Sequence, residues 1–191
     1  FTTIIFSNFI FSQNIDFEGF MNFSYSSNLG KIHLEVNNLD KEFLYINSLS
    51  RGIGNNDLGL DRGQLGNTRI VFFTKRGNKI LLIQPNTKYV SNSDNYLENR
   101  AVEEAFARSV LFSFEIIEEK NNNYVIDLTP LLMNDAHGVA QRLRFSNSGN
   151  YSLNKSMSAI ELDRTKAFPE NIEFDVILTF TGNPMGNLVR S

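Results

Sequence analysis

The chain has 191 residues, 41% of them hydrophobic and 17 of them Phe, which is ample material for a buried core. It contains no Cys, so disulfides, Cys-ligated zinc and thiol nucleophiles are excluded together. A formal net charge of -3, a pI near 5.4 and scattered Lys and Arg give no basic face of the kind that nucleic-acid binders carry.

Phe1 to Ser12 hold no charge and read as the apolar region of a signal peptide whose basic start is missing, with residues 1–14 as the leader. A buried N-terminal strand is the alternative, because Phe and Ile at this density also suit a sheet. The run is too short to span a bilayer, which needs about 20 residues, so no transmembrane segment is expected. Residues 15–191 read as a single β-rich domain.

Within that domain the dominant pattern is period-two alternation broken by Gly and Asn. Met21, Phe23 and Tyr25 lead through Asn28-Leu29-Gly30 into Ile32, Leu34 and Val36, a hairpin. Phe43 to Leu49 is a further strand. Ile70–Phe73 and Ile80–Ile83 flank Lys75-Arg76-Gly77-Asn78, and their unbroken apolar character predicts a second hairpin covered on both faces. The period then changes: Ala101, Val102, Ala105 and Phe106 share one face of a helix over 94–108, with Ser93 or Asp94 as its cap. Val110, Phe112, Phe114 and Ile116 form the next strand, and Asn121-Asn122-Asn123 turns the chain into Tyr124, Ile126 and Leu128. Thr129-Pro130-Leu131-Leu132 opens a short helix with Pro in its first turn.

Asn134 to Tyr151 lacks periodicity and reads as a long excursion, followed by a short strand at Ile160 and Leu162. The last strand shows the cleanest alternation, with Ile172, Phe174, Val176, Leu178 and Phe180 on one face. Thr181 to Asn187 reads as a turn leading onward, so the chain is expected to be a fragment. The predicted fold is mainly β (α+β), an antiparallel sheet or sandwich with one or two short helices.

Few residues offer chemistry. His33 alternates with Ile32 and Leu34 in a strand and reads as structural. His137 lies in the polar stretch Asn134-Asp135-Ala136-His137-Gly138, where Asp135 could join it on a metal, but zinc takes three or four ligands. A hydrogen bond that stabilises the loop is the simpler role. There is no His-Glu-x-x-His and no Gly-x-Ser-x-Gly. Gly52 to Gly66 holds five glycines and is neither a P-loop nor a dinucleotide fingerprint. Asp57 and Asp61, with Asn55 and Asn56, could offer oxygens to calcium, although their spacing matches no calcium loop. A structured connection in which Asp61 and Arg62 pair with the rest of the domain is the simpler reading. No catalytic, cofactor-binding or metal site is therefore assigned to this segment.

A family resemblance rests on longer stretches. Gly30-Lys31-Ile32-His33-Leu34-Glu35-Val36, Phe43-Leu44-Tyr45, Gly52-Ile53-Gly54-Asn55 and Leu60-Asp61-Arg62-Gly63-Gln64 occur in order. Arg100 to Leu111, Val125 to Leu132 and Phe168-Pro169-Glu170-Asn171 follow. Together they resemble the uncharacterised N-terminal domain that precedes the metzincin-like catalytic domain in bacterial secreted zinc-dependent metalloproteases. The resemblance implies an exported parent, periplasmic, outer-membrane-associated or secreted, with its zinc held by a downstream His-Glu-x-x-His domain. It also implies that this segment is a non-catalytic accessory domain whose partners are that catalytic domain and a peptide or protein substrate. A cell-envelope binding or structural module with no protease is the alternative.

Overall fold

The alternating segments pair as strands. The computed structural model describes residues 14–189, and there eight strands form one antiparallel sheet. They are β1 (Asn14–Phe17), β2 (Phe23–Ser26), β3 (Lys31–Val36), β4 (Phe43–Tyr45), β5 (Arg69–Arg76), β6 (Lys79–Gln84), β7 (Ser109–Lys120) and β8 (Asn123–Asp127). Their spatial order is β1-β2-β3-β8-β7-β6-β5-β4. Residues 1–13 of the expected leader lie outside the described residues, and Asn14 opens β1.

Local turn chemistry sets the hairpins. Gly77 at φ 60° opens the two-residue β5–β6 loop, a conformation for which a side chain would be strained. Asn121 and Asn122, at φ 51° and 60°, form the two-residue β7–β8 loop, where two successive positive φ values match the right-handed twist of the strands. Among the described residues three α-helices accompany the strands, one more than the sequence indicates: α1 (Tyr96–Ala105), α2 (Thr129–Leu132) and α3 (Val139–Phe145). The fold is mainly β, built on a large antiparallel sheet.

The inner face of the sheet carries the main core. Phe23, Ile32, Leu34, Val36, Val71, Phe73, Ile80, Leu82, Phe114, Tyr124 and Ile126 are all buried in one cluster. Phe20, just past β1, meets the Phe43 ring of β4 at 6.2 Å, so the sheet curls until its two edges approach each other. The segment after the sheet closes this core, with Phe174 packed 4.8 Å from Phe23.

Three expectations are corrected. First, the stretch read as an excursion contains α3 and the start of a long strand, β9 (Gly149–Ile160). Second, the final strand is broken: Ile172–Glu173 is β11, paired with β10 (Lys166–Ala167), and a new strand β12 runs from Val176 to Pro184 along β9. Asp175 makes the break. Its carboxylate takes Arg164 at 2.9 Å and the Ser50 hydroxyl at 3.0 Å, and its backbone carbonyl accepts from Glu161 N. The ladder therefore continues through Gly182-Asn183-Pro184, where a turn was expected. Third, α1 is capped by Asn95, whose side-chain oxygen accepts from Leu97 N, and it buries none of its residues. It stands on the surface between β6 and β7, at a base where Tyr89 stacks on Phe106 at 4.2 Å.

The central strands are also less covered than expected. Register places Leu44, Ile70, Phe72, Ile83 and Val110 on the outer face; Phe72 and Ile83 are buried, whereas Leu44, Ile70 and Val110 stay exposed.

A second, smaller core fixes the β9–β12 ribbon. Leu58 from the glycine-rich segment, Leu143 from α3 and Tyr151 from β9 are buried together, with Val139, Phe180, Leu188 and Val189 against them.

Ile126 is fully buried at the centre of the main core, so Ile126→Ala should destabilise the protein by about 2–5 kcal/mol. Leu44→Ala on the open outer face should change stability by less than about 0.5 kcal/mol. Chemical denaturation with an unchanged slope checks both values.

Candidate functional site

The glycine-rich segment is a fastened connection. A single 3-10 turn at Asn56–Leu58 drives Leu58 into the second core, and Asn55 caps that turn through Asp57 N at 3.0 Å. Ile53 N donates to Leu60 O, Gly63 N to Leu49 O and Gly66 N to Asn47 O, so the backbone is paired along its length. A Cβ on Gly52 would stand 3.0 Å from both Leu60 O and Arg62 N, which explains glycine there. The segment is tied to the rest of the molecule by Arg142 of α3, which donates to Leu58 O at 3.3 Å and Gly59 O at 3.1 Å, and by Asn55, whose Nδ2 donates to Leu188 O at 3.2 Å. Asp61 and Arg62, expected to make that tie, are exposed and form no ion pair among the described residues. Asp57 and Asp61 are not joined by a third acidic or His ligand; among the described residues no cluster of three or more His, Cys, Asp or Glu exists.

Asp135 and His137 have different fates. The Asp135 carboxylate accepts from Val139 N at 2.7 Å and Ala140 N at 3.0 Å, which satisfies the first free amides of α3 and complements its dipole. His137 is half-buried beside it, with Nε2 buried and unpartnered, so the hydrogen bond expected of His137 is made by Asp135 instead. His33 lies on the outer face of β3, opposite Asp127 of β8 and Ser24 of β2.

The polar groups that do converge lie elsewhere. A cleft of about 430 Å³ opens between the β2–β3 turn, α2 and the ribbon strand β9. Lys31 and Asp127 form an ion pair at 2.8 Å on one wall, and Asp127 also accepts from Thr129 N at 3.0 Å. Thr129 Oγ1 in turn accepts from Ile32 N at 2.9 Å, locking α2 onto β3. Lys155 and Ser158 enter from β9, and Pro130, Met133 and Ile160 supply apolar surface. Burial pushes the Asp127 carboxyl up, but hydrogen bonds from Lys31 and Thr129 outweigh it and hold its pKa below the usual value.

Sequence reasoning missed this cleft because β9 looked like loop. The signal was present in the alternation of Tyr151, Leu153, Met157 and Ala159 with Ser152, Asn154, Ser156 and Ser158, interrupted at Lys155.

A family model, described as a domain of unknown function (DUF5117), matches residues 63–190. The chain belongs to that family. No curated protein and no solved structure matches it. The family match begins inside the glycine-rich segment, yet β4 pairs with β5 and β3 with β8, so the strands before residue 63 complete the sheet that the matched region builds. Among the described residues no helix is long and apolar enough to cross a membrane.

Asp127 gives a pH signature. Its lowered folded pKa contributes stability that is present above the unfolded carboxylate value and lost as pH falls through the folded one. Asp127→Asn should therefore lower stability at neutral pH and flatten its decline below about pH 4. Denaturation midpoints across an acid series read both effects, and an unchanged acid limb would contradict the assignment.

Proposed function

We propose that this chain is the non-catalytic accessory domain of an exported zinc-dependent metalloprotease and packs against a catalytic domain of the same polypeptide. The reading is supported first by the resemblance of residues 17–185 to the domain that precedes such catalytic domains. The observation that carries it is the outer sheet face, where Leu44, 63% exposed, stands opposite Ile70, and Val110, 56% exposed, stands opposite Ile83. Aliphatic side chains on adjoining strands are the usual material of an interface core. Tyr96 and Leu97 on α1 are also exposed. The prominent polar groups are engaged in the fold: Asp135 caps α3, Asp127 ties α2 to β3, and Asp175 breaks the last strand.

In this account zinc belongs to the downstream His-Glu-x-x-His domain, where it would activate water for peptide hydrolysis. This segment contributes docking. Reading the gene beyond Ser191 tests the proposal: a His-Glu-x-x-His within the following several hundred residues is expected, and its absence sinks the idea. In the parent protein, Ile70→Asp with Val110→Asp should release the domain, seen as accelerated proteolysis at the junction with peptidase chemistry retained. An unchanged cleavage pattern would contradict docking through this face.

A further inference from the structure

The cleft beside β9 has the features of a peptide site. Its ribbon wall is built by β9 and by no residue of β12, so the cleft runs along the unpaired edge of that strand. Glu161 N donates to Asp175 O, which makes that pair a hydrogen-bonded one in the antiparallel ladder. Ile160, one residue earlier and opposite Val176, then turns its backbone N–H and C=O away from β12, toward the cleft.

A large irregular bulge shapes the same strand. Ala159 pairs with Ile177, but the next pair is Asn154 with Thr179, so residues 155–158 all stand opposite Leu178. The bulge is held rigidly: Thr179 N donates to Ser158 Oγ at 3.0 Å, Thr179 Oγ1 to Met157 O at 2.6 Å, and Ser158 Oγ to Asn154 O at 2.7 Å. It delivers Lys155 to the cleft.

The charges there are unequal. Lys31 is matched by Asp127, whose oxygens are already taken by Lys31 and Thr129 N. Lys155 forms no ion pair among the described residues. The cleft thus offers an unmatched ammonium, the remaining donors of Lys31, an apolar floor of Pro130 and Met133, and a strand edge. Its volume lies within the range of about 300–1,000 Å³ typical of ligand sites.

We propose that this cleft binds an extended acidic peptide by adding it to the free edge of β9. The peptide backbone pairs with Ile160, an acidic side chain meets Lys155, and a neighbouring aliphatic side chain rests on Pro130 and Met133. This site is distinct from the outer-face docking surface and does not depend on the parent being a protease.

The test uses the 191-residue chain and fluorescently labelled, end-blocked hexapeptides of alternating Leu and Glu, with Leu–Gln and Leu–Lys versions for comparison. Binding of the Leu–Glu peptide is expected, weakened by about tenfold on replacing Glu with Gln, consistent with loss of a charge-assisted contact. Lys155→Glu should weaken it by at least as much, whereas Lys120→Glu, at the C-terminal end of β7 and away from the cleft, should leave it unchanged. Amide shifts on titration should centre on residues 155–160 and on Gly30 to Ile32. Equal binding of the Glu and Gln peptides, or no effect of Lys155→Glu, overturns the charge assignment. Glutarate binding as tightly as the peptide overturns the strand-addition component. Shifts centred on Tyr89 and Phe106 overturn the location, and no detectable binding overturns the proposal.

Discussion

Leu58 of the glycine-rich segment is buried in a small core of its own with Leu143 of α3 and Tyr151 of β9. A two-stranded ribbon is marginal by itself, because one ladder buries too little apolar surface to offset its ordering. Here the ribbon is held at two points. Ile160 packs on the main core at one end, and Tyr151 and Phe180 join the second core at the other. The second anchor exists because the glycine-rich segment can fold tightly enough to present Leu58, with Arg142 holding the carbonyls of Leu58 and Gly59. The cleft lies along the same strand, so the geometry of a binding edge depends on a leucine far from it in sequence.

This arrangement separates the two things the surface offers. One part of the outer face of β4, β5 and β7 presents the exposed aliphatic side chains Leu44, Ile70 and Val110, suited to packing against another domain, while Arg76 and Glu115 make the far end of the same face charged. The cleft presents donors and a strand edge, suited to a ligand that comes and goes. Between them the carboxylates serve the fold. Asp135 completes the start of α3 and Asp175 redirects the chain from β11 into β12.

Much of the sheet was legible because each hairpin is written locally. The Asn pair at 121–122 and Gly77 sit where positive φ is required, and the alternation on either side decides which residues face inward. Strand order was not legible, since β3 lies beside β8 through contacts across about ninety residues of chain that no local pattern encodes. Helix α3 was missed for a different reason. It buries only Leu143, and its cap comes from Asp135 three residues before Gly138, outside the usual cap position. Helix α1 was found from periodicity, but the face that looked apolar is left in solvent, and periodicity cannot say whether a partner surface exists. The final strand misled because its alternation is continuous in sequence while Asp175, pinned by Arg164 and Ser50, divides it in space. At the candidate site, Lys31 and Asp127 were readable as strand residues, but their meeting with Lys155 required the ribbon.

The glycine-rich segment is a structural clamp, held by its own backbone hydrogen bonds and by Leu58 in the second core. Hydrogen exchange on the ligand-free chain tests it most directly at the amides of Ile53, Gly59, Gly63 and Gly66, each of which donates to a backbone carbonyl. Slow exchange is expected, lost together with protection of Ser148 N, which is paired to Leu143 O beside the same core. Rapid exchange at those four amides, slowed only when a metal ion or peptide is added, would contradict it and make the segment a binding loop.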